Sequence, residues 1–342
     1  MTYTKEPEIG IAGLSVVLRS TEASVISTPL NCWLPEIEYP LIWIPLFKIG
    51  GVTKVMPVLS KPSLYPALMQ SICQQISQSM AVEWLGLPYE LTGVEVDPHA
   101  LHVIQILISP AEPLPPTMGR AIHAQCLKWL ASADTVIAEQ LHQQDSLPIT
   151  LAIKFSPPRQ MQLRIALLRR ELLAPLLWGL SEDLGGEITL AGIPCRIGKS
   201  VEILRASSFE KLAQVPSEQV VELQFLSPTS FKQSQDIQPF PLPELVFGNL
   251  HRRWNAFAPE HLQFPAVEWK GLSCAYELKT YSLKMEGGSE IGTQGWVRYR
   301  FPDIEQAKIA TVLAHFAFFA GVGRKTAMGM GQVRLSEFRH RD

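Results

Sequence analysis

The sequence is poor in cysteine, and its cysteines form no motif. No CxxC pair occurs in the 342 residues, whose only cysteines are Cys32, Cys73, Cys126, Cys195 and Cys274. A zinc ribbon needs such close pairs, and disulfide-stabilised secreted proteins concentrate cysteine. The scarcity therefore argues against a zinc ribbon and favours a reducing compartment.

A long hydrophobic run is also missing. No apolar stretch reaches the length of about 20 residues that a bilayer-spanning helix needs. The first residues are polar and contain no apolar core segment of the kind that a secretory signal carries. We therefore expect a cytoplasmic protein with no membrane partner.

A strong excess of charge of one sign is absent as well. The formal net charge is −2, from 30 basic and 32 acidic side chains, so the chain is not a bulk polycation. Residues 1–100 hold 5 of the basic and 9 of the acidic side chains, which leaves a small positive charge on the rest. Any nucleic-acid surface is therefore expected to be a local patch in the later part of the chain. The length predicts two or three domains.

Close metal-binding motifs are missing too. The sequence contains no HxH or DxD pair and no HExxH segment, which are spacings that would hold a catalytic metal. We therefore predict no metal and no cofactor. Metal ligands can also converge in the folded chain from positions that are distant in the sequence.

A glycine-rich run, residues 320–332, is the most informative feature that the sequence does contain. Its glycines are Gly321, Gly323, Gly329 and Gly331. Glycine reaches positive φ and lets another backbone come close, and amides exposed in that way bind anions. Arg324, Lys325 and Thr326 add charge and a hydroxyl group. We therefore predict that this run binds phosphate, although a purely structural helix-to-strand connection would have the same composition.

Two common nucleotide-binding motifs do not fit the run. A P-loop has Lys and then Ser or Thr directly after its last glycine, at a strand-to-helix turn. Here Met330 follows Gly329 and Gln332 follows Gly331. A dinucleotide fingerprint needs a third glycine where Thr326 stands. A nucleotide-binding enzyme is therefore the weaker interpretation, and it would require ATP or NAD binding.

Hydrophobic periodicity predicts a βαββαβ order in the middle of the chain. Apolar or alternating runs predict strands at 101–108, 149–155, 161–167 and from 188 onward. Helical patterns cover 118–143 and 171–183. We expect the second of these helices to be kinked at Pro175.

The same order recurs closer to the C-terminal end. Strands are predicted at 220–226, 276–284, 294–301 and 332–338, and helices at 242–257 and 304–319. This is the split βαβ, or ferredoxin-like, arrangement. We therefore predict an α+β fold with two tandem ferredoxin-like domains, at residues 101–214 and 215–342.

Residues 1–100 show a weaker pattern. Short strand-like pieces occur at 14–18 and 41–47, and a helix is predicted at 63–82. No group of chemically active residues stands out. We expect an additional N-terminal region, either a small domain or an elaboration packed on the first ferredoxin-like unit.

Three segments resemble one known family. Residues 118–134 begin with Met-Gly-Arg-Ala-Ile-His-Ala, residues 241–257 contain Phe-Gly-Asn-Leu-His-Arg-Arg-Trp, and Phe-Phe-Ala-Gly leads into the glycine-rich run. Together they are similar to the CRISPR precursor-RNA processing endoribonucleases, the sixth Cas family of the RAMP superfamily, in its cyanobacterial type. The resemblance spans about residues 100–342 and implies tandem ferredoxin-like domains, as the strand pattern does.

The resemblance also implies a reaction. Members cut repeat RNA without metal: the ribose 2′-hydroxyl attacks the adjacent phosphorus and leaves a 2′,3′-cyclic phosphate and a 5′-hydroxyl. His123 matches the family's Gly-Arg-x-x-His-Ala pattern, and histidine suits either proton transfer. Without the resemblance, His123 would be an ordinary packed helix residue. Lys154, on the polar face of the next strand, is the second catalytic candidate; an exposed strand lysine is its alternative.

Further cationic residues extend the predicted RNA contact. Arg120 lies one helical turn before His123. Arg252 and Arg253 stand beside Trp254, a combination that fits backbone contact and base stacking. The structural alternative is a helix with solvated arginines and an inward Trp254.

The second predicted contact lies on a strand. Arg298 and Arg300 share one face, while Val297, Tyr299 and Phe301 occupy the other. Two aligned arginines suit a phosphate track, and a solvated outer sheet face is the alternative.

Two functions from different classes follow from these observations. The first is a metal-independent endoribonuclease that cuts precursor crRNA and stays bound to the mature product. The second is an inactive RAMP-type RNA-binding subunit of a CRISPR effector complex. CRISPR repeat RNA is the expected partner in both, and other Cas proteins are further expected partners.

Overall fold

The computed structural model describes residues 11–336 except for 22–26, 35–36, 38, 47–52, 79–80, 143, 145, 157–159 and 286–287. The described chain forms three main sheets in succession and a small two-stranded ribbon. The fold is α+β, and two ferredoxin-like units follow an N-terminal unit.

The N-terminal unit is a six-stranded sheet with one helix. Its elements are β1 (Gly13–Ser20), β2 (Ser27–Pro29), β3 (Ile42–Pro45), β4 (Thr53–Val58), α1 (Tyr65–Ser77), β5 (Ala81–Trp84) and β6 (Leu87–Asp97). The strand order is β2-β5-β6-β1-β4-β3. The predicted strands at 14–18 and 41–47 correspond to β1 and β3, although Phe47 lies outside the described residues. The predicted helix was too long, because Val82 pairs with Tyr89 in β5 and β6.

The first ferredoxin-like unit follows directly. Its elements are β7 (Leu101–Pro110), α2 (Met118–Ala133), α3 (Thr135–His142), β8 (Ile149–Ser156), β9 (Gln160–Leu167), α4 (Leu173–Asp183), β10 (Glu187–Leu190), β11 (Ile193–Ile197) and β12 (Glu202–Ser207). The sheet runs β10-β11-β7-β9-β8, and β12 also pairs with β7. The fourth strand of the motif is therefore broken in two, since β11 and β12 pair with successive parts of β7.

Two helix predictions in this unit were wrong in detail. The predicted helix 118–143 is interrupted at Asp134, whose backbone is extended. Its carboxylate accepts a hydrogen bond from the amide of Val136 at 2.9 Å and so caps α3. Pro175 does not kink α4, because the helix begins at Leu173 and the proline sits in the first turn, where it is tolerated.

The second ferredoxin-like unit completes the chain. Its elements are α5 (Phe209–Ala213), β13 (Val220–Thr229), β14 (Phe231–Gln233), β15 (Asp236–Gln238), α6 (Pro243–Phe257), β16 (Leu272–Met285), β17 (Gly288–Arg300), α7 (Ile304–Ala320) and β18 (Val333–Leu335). The sheet order β16-β17-β13-β18 is that of a ferredoxin-like motif. The β14–β15 ribbon is an insertion that the sequence did not predict. We propose residues 1–100, 101–214 and 215–342 as the domains.

Helix α7 joins the two ferredoxin-like units. It is apolar around most of its circumference, with Phe316 and Phe319 fully buried. A helix of this kind needs partners on more than one side. It packs on β13 and β18 of its own sheet and on β7, β8 and β9 of the preceding sheet. One hydrophobic cluster consequently includes Val103 and Ala166 together with the core of the second unit.

The N-terminal unit has its own core and also packs on the first ferredoxin-like unit. Trp33, Tyr65 and Leu68 belong to its own cluster, whereas Ile44 and Met56 belong to the cluster of the neighbouring sheet. Helix α4 lies against β3 and β4. No helix among the described residues is long and apolar enough to cross a membrane.

Candidate nucleic-acid interface

The glycine-rich loop, residues 320–332, connects α7 to β18 and lies along the free edge of β8. Its four predicted glycines all have positive φ. At Gly331 a Cβ would clash with the carbonyl oxygen of Val322, so the close approach of the loop's two arms requires glycine there. The hydroxyl of Thr150 in β8 donates to the carbonyl of Ala320 at 2.8 Å and fixes the loop to that edge.

The loop's glycine amides are mostly engaged within the protein. The amide of Gly321 donates to Ala317, that of Gly323 to the side chain of Asn249, and that of Gly331 to Pro228, at 2.8, 2.9 and 3.1 Å. These three amides are not available to bind phosphate. The expectation of an amide-lined anion site therefore fails at Gly321, Gly323 and Gly331. The charge of the loop is carried by its side chains.

Arg324 and Lys325 are paired with one carboxylate. Glu290 of β17 accepts from Nη1 of Arg324 at 3.0 Å and from Nζ of Lys325 at 2.6 Å, one cation on each oxygen. Lys325 has a left-handed backbone, with φ of 53°. All three side chains are partly exposed, and the Glu290 carboxylate lies between the two cations.

Arg253 points into the protein instead of toward solvent. Its guanidinium donates to the hydroxyl of Thr326 at 3.0 Å, to the carbonyl of Leu147 at 3.1 Å and to the hydroxyl of Thr150 at 3.4 Å. Within the described part of the chain it has no carboxylate partner. Burial lowers the pKa of Arg253 to about 10. The predicted RNA contact of Arg253 does not fit this position, and the hydroxyl of Thr326 is likewise engaged.

Trp254, the aromatic residue that follows Arg253, is also buried. Trp254 is fully inaccessible, and its indole nitrogen donates to the carbonyl of Leu262 at 2.8 Å. Base stacking on Trp254 is therefore excluded. The alternative interpretation, in which Trp254 packs inward from the helix, is correct for this residue. Arg252, one position before Arg253, is exposed.

Arg252 and Arg324 come together at a small pocket of about 160 Å³. It lies between the first half of α6, the β14–β15 ribbon and the glycine-rich loop. Lys232 contributes a third cation, and Glu244 is the carboxylate among its lining residues. Lys232 was missed because the ribbon that carries it was not predicted.

Helix α2 packs against the glycine-rich loop. At Gly119 a Cβ would clash with the carbonyl oxygen of Met328, so the helix and the loop are in backbone contact. His123 is four residues later, on the same side of the helix, and is half-buried. Arg120 is exposed in the first turn, three residues before His123. The structure thus places the family's Gly-Arg-x-x-His-Ala segment beside the glycine-rich loop.

Lys154 lies on a different surface. It is exposed on β8 and lines a groove of about 330 Å³ together with Arg164 of β9 and Arg334 of β18. The neighbouring Ile153 faces the hydrophobic core that contains α2. Because alternate side chains point to opposite faces of a strand, Lys154 and His123 lie on opposite sides of the first ferredoxin-like sheet.

Arg164 and Arg334 are cations that the sequence analysis missed. Gln162 is directly opposite Lys154 in the β8–β9 register, so Arg164 is the diagonal neighbour of Lys154 on the same face. Strand alternation would have placed Arg164 on that face. The grouping with Arg334 depends on the packing of two sheets, which has no local signal.

Arg298 and Arg300 lie on the outer face of the second sheet. Val297, Tyr299 and Phe301 are fully buried on the other face, as the alternation predicted. Arg298 forms an ion pair with Glu222 at 2.9 Å and lies 5.8 Å from the ring centre of Trp296. Arg300 is exposed. Trp296 adds a partly exposed aromatic ring that the sequence analysis did not single out.

Part of the chain matches a known protein family. Residues 223–333, which include most of the second ferredoxin-like unit and the whole glycine-rich loop, match the family described as CRISPR-associated endoribonuclease Cas6.

This part of the chain is similar to the Cas6 proteins.

A curated CRISPR-associated endoribonuclease Cas6 from Mycobacterium tuberculosis is 26% identical over 165 residues, which cover 46% of this chain and 52% of that protein. The chain thus spans about half the length of the curated relatives that it matches. The family resemblance seen in the sequence is confirmed.

Solved structures of Cas6 proteins have the same fold. A Cas6 product complex of a Thermus thermophilus protein superimposes with a TM-score of 0.63 at 24% identity, covering 70% of this chain and 100% of its own. A second Cas6 product complex gives a TM-score of 0.57 at 26% identity, covering 69% of this chain and 100% of its own. Among the described residues, no group of three or more His, Cys, Asp or Glu side chains is arranged to hold a metal ion.

Proposed function

We propose that this protein is an endoribonuclease that binds CRISPR repeat RNA and cleaves precursor crRNA. The observation that carries the proposal is the contact between two Cas6-like segments: α2, which holds His123, packs on the glycine-rich loop. The match to the Cas6 family and the cationic surfaces on both sides of the loop support it.

His123 is the proposed proton-transfer residue. Attack of the ribose 2′-hydroxyl on the adjacent phosphorus requires a base near the 2′-oxygen and an acid near the leaving 5′-oxygen. The half-buried imidazole of His123 serves one of these roles. Arg120 is its neighbour on the helix surface and supplies positive charge for the pentavalent phosphate. The products would be a 2′,3′-cyclic phosphate and a 5′-hydroxyl, formed without a metal ion.

Lys154 takes a binding role in this proposal. Lys154 lies on the opposite face of the sheet from His123, so we assign it to RNA binding and not to the reacting phosphate. Lys154, Arg164 and Arg334 form one cationic groove, which we assign to the RNA backbone. Arg252, Arg324 and Lys232 form a second cationic surface on the far side of the loop. RNA that contacts both surfaces passes over the glycine-rich loop.

The test is cleavage of the repeat RNA from the associated CRISPR array in EDTA. We expect cutting by the wild type, with cyclic-phosphate ends, and loss of cutting in His123→Ala while repeat binding is retained. His261→Ala, which removes an exposed histidine, is the matched control and should cut normally. Full activity of His123→Ala would remove this residue from the mechanism.

One observation favours the inactive RNA-binding subunit as a second candidate. The two residues predicted as catalytic, His123 and Lys154, lie on opposite faces of the first ferredoxin-like sheet. Under this alternative the wild type binds the repeat with a strong salt dependence and cuts nothing, with or without EDTA.

A further inference from the structure

A pocket separate from the surfaces described above lies where the three units meet. Its volume is about 700 Å³, and each unit contributes to its lining. Pro62, Ser63 and Pro66 come from the N-terminal unit, Arg169 and Arg170 follow β9, and Phe257 ends α6. The pocket exists only in the assembled chain.

The lining combines a flat cation with an aromatic ring. The guanidinium carbon of Arg169 lies 5.5 Å from the centre of the Phe257 ring, which is a cation–π distance. Nucleic-acid bases stack on aromatic rings and on guanidinium planes. The Arg169–Phe257 pair is therefore a stacking platform at the edge of an open pocket.

The adjacent cation has no partner among the described residues. The Nε atom of Arg170 is buried and makes no hydrogen bond. None of the ion pairs among the described residues includes its guanidinium. Arg170 also lines the pocket, so an anionic ligand bound there lies next to a guanidinium that has no carboxylate partner among the described residues. Glu171 is the one carboxylate in the lining, so the two arginines leave the pocket with net positive charge.

The position of the pocket relates it to the cationic groove. Arg164 of the groove and Arg169 are five residues apart on and just after β9, or roughly 17 Å of extended chain. One RNA strand can therefore contact the groove and have a nucleotide beyond it within reach of the junction.

We propose that this junction pocket binds one nucleotide of a single-stranded segment of the repeat RNA, outside the cleavage site. The base stacks on the Arg169–Phe257 platform and the phosphate accepts hydrogen bonds from Arg170. This proposal rests on the proposed function, which supplies repeat RNA as the ligand. Because residues of the N-terminal unit line the pocket, that unit takes part in substrate binding. Its own sequence contains no group of chemically active residues that would have indicated this role.

The first experiment measures repeat-RNA affinity by fluorescence anisotropy across a series of salt concentrations. Removing one stacked base is worth about 1–3 kcal/mol, or roughly 5- to 150-fold in affinity. We therefore expect Phe257→Leu and the double variant Arg169→Ala/Arg170→Ala to bind at least about fivefold more weakly. The double variant should also show a flatter salt dependence, by about 0.7 for each lost phosphate contact on a single strand.

The matched control is Arg196→Ala, which removes an exposed arginine of β11 that is not among the residues lining the pocket. It should bind like the wild type. Single-turnover cleavage at saturating protein should also be unchanged in Arg196→Ala. If the double variant binds like Arg196→Ala while the wild type binds and cuts the repeat, the pocket proposal is overturned and the proposed function stands. If the wild type binds no repeat RNA, the proposed function has failed first.

A second measurement uses only the wild type, so it does not depend on the folding of a variant. Repeat RNA carrying 5-iodouridine is photo-crosslinked to the protein, and the attached peptides are mapped. A crosslink at Phe257 supports the pocket. Crosslinks confined to the groove and the loop overturn it, as does binding of free UMP in the pocket without any effect of the pocket variants on RNA affinity.

Discussion

Gly119 of α2 lies directly against the carbonyl oxygen of Met328, leaving no room for a side chain. This contact joins the helix that carries His123 to the glycine-rich loop. The contact explains why the Gly-Arg-x-x-His-Ala segment begins with glycine, because a methyl group at this position would push the helix and the loop apart.

The first prediction concerns this contact. Gly119→Ala should lower the free energy of unfolding by about 1–3 kcal/mol, as overpacking does. It should also slow single-turnover cleavage more than it weakens RNA binding, because it shifts His123 relative to the loop. Gly93→Ala is the control, since a Cβ at Gly93 meets nothing within 4 Å. Equal cleavage rates in the two variants would show that the contact does not position His123.

The second prediction concerns Glu290, which neutralises the two cations of the loop. Glu290→Gln should strengthen repeat-RNA binding and steepen its dependence on salt, because Arg324 and Lys325 lose a competing carboxylate. The double variant Arg324→Ala/Lys325→Ala should weaken repeat-RNA binding and flatten its dependence on salt. Anisotropy titrations at several salt concentrations measure the slopes. Glu268→Gln, which changes a highly exposed carboxylate paired with Lys270 at 3.6 Å, is the control. Weaker binding by Glu290→Gln would mean that the ion pairs order the loop for RNA and do not compete with it.

The third prediction separates two adjacent arginines. Arg253→Ala should lower the free energy of unfolding by about 2 kcal/mol, since hydrogen bonds from a charged donor to Thr326 and Leu147 are lost. Arg252→Ala should leave stability nearly unchanged and flatten the salt dependence of RNA binding. Chemical denaturation and RNA titration of both variants check this. If Arg253→Ala instead flattens the salt dependence of RNA binding and keeps its stability, Arg253 contacts RNA and the prediction is wrong.

The fourth prediction concerns acid stability at the start of the first ferredoxin-like unit. Asp97 is hydrogen-bonded to the rings of His99 and His102 at 2.9 and 2.8 Å. Burial alone would raise the pKa of Asp97, but hydrogen bonds from His102 and His99 and the charge of His102 outweigh it and lower the pKa from 3.8 to about 2.

A carboxylate whose folded pKa is depressed stabilises the protein above its unfolded pKa and loses that effect as the pH falls toward the folded value. Asp97→Asn should therefore be about 2 kcal/mol less stable than the wild type at pH 6. The difference should vanish as the pH falls from about 4 to 2. Denaturation at several pH values measures it, with Asp236→Asn, an exposed aspartate, as the control. A constant difference down to pH 2 would contradict the assignment.

Much of the fold was predictable because its strongest signals are local. Helices α6 and α7 and strand β7 follow from long periodic or apolar stretches, and the βαββαβ order follows from their sequence. The break at Asp134 was missed because a capping residue inside a helical pattern is a weak signal. The division of the fourth strand into β11 and β12 is set by pairing with β7, which no local pattern specifies.

The candidate site was less predictable, because its residues meet only in the folded chain. Arg252 and Arg253 are adjacent in a basic cluster, yet one is exposed and the other is enclosed by the loop and β8. Glu290 is more than 30 residues from Arg324 and Lys325 in the sequence, and no sequence spacing predicts that they form ion pairs. The glycines were correctly expected to have positive φ, but the partners of their amides depend on Asn249 and Pro228 in distant segments.

The position of α7 between two sheets has a consequence for dissecting this protein. A fragment that ends before residue 304 leaves the strands β7, β8 and β9 with a bare apolar face, and a fragment that begins at residue 215 exposes the opposite flank of the helix to water. Neither half is self-sufficient. The ferredoxin-like modules are thus repeated in architecture but coupled in folding, and truncation would yield aggregation-prone pieces in place of separable halves.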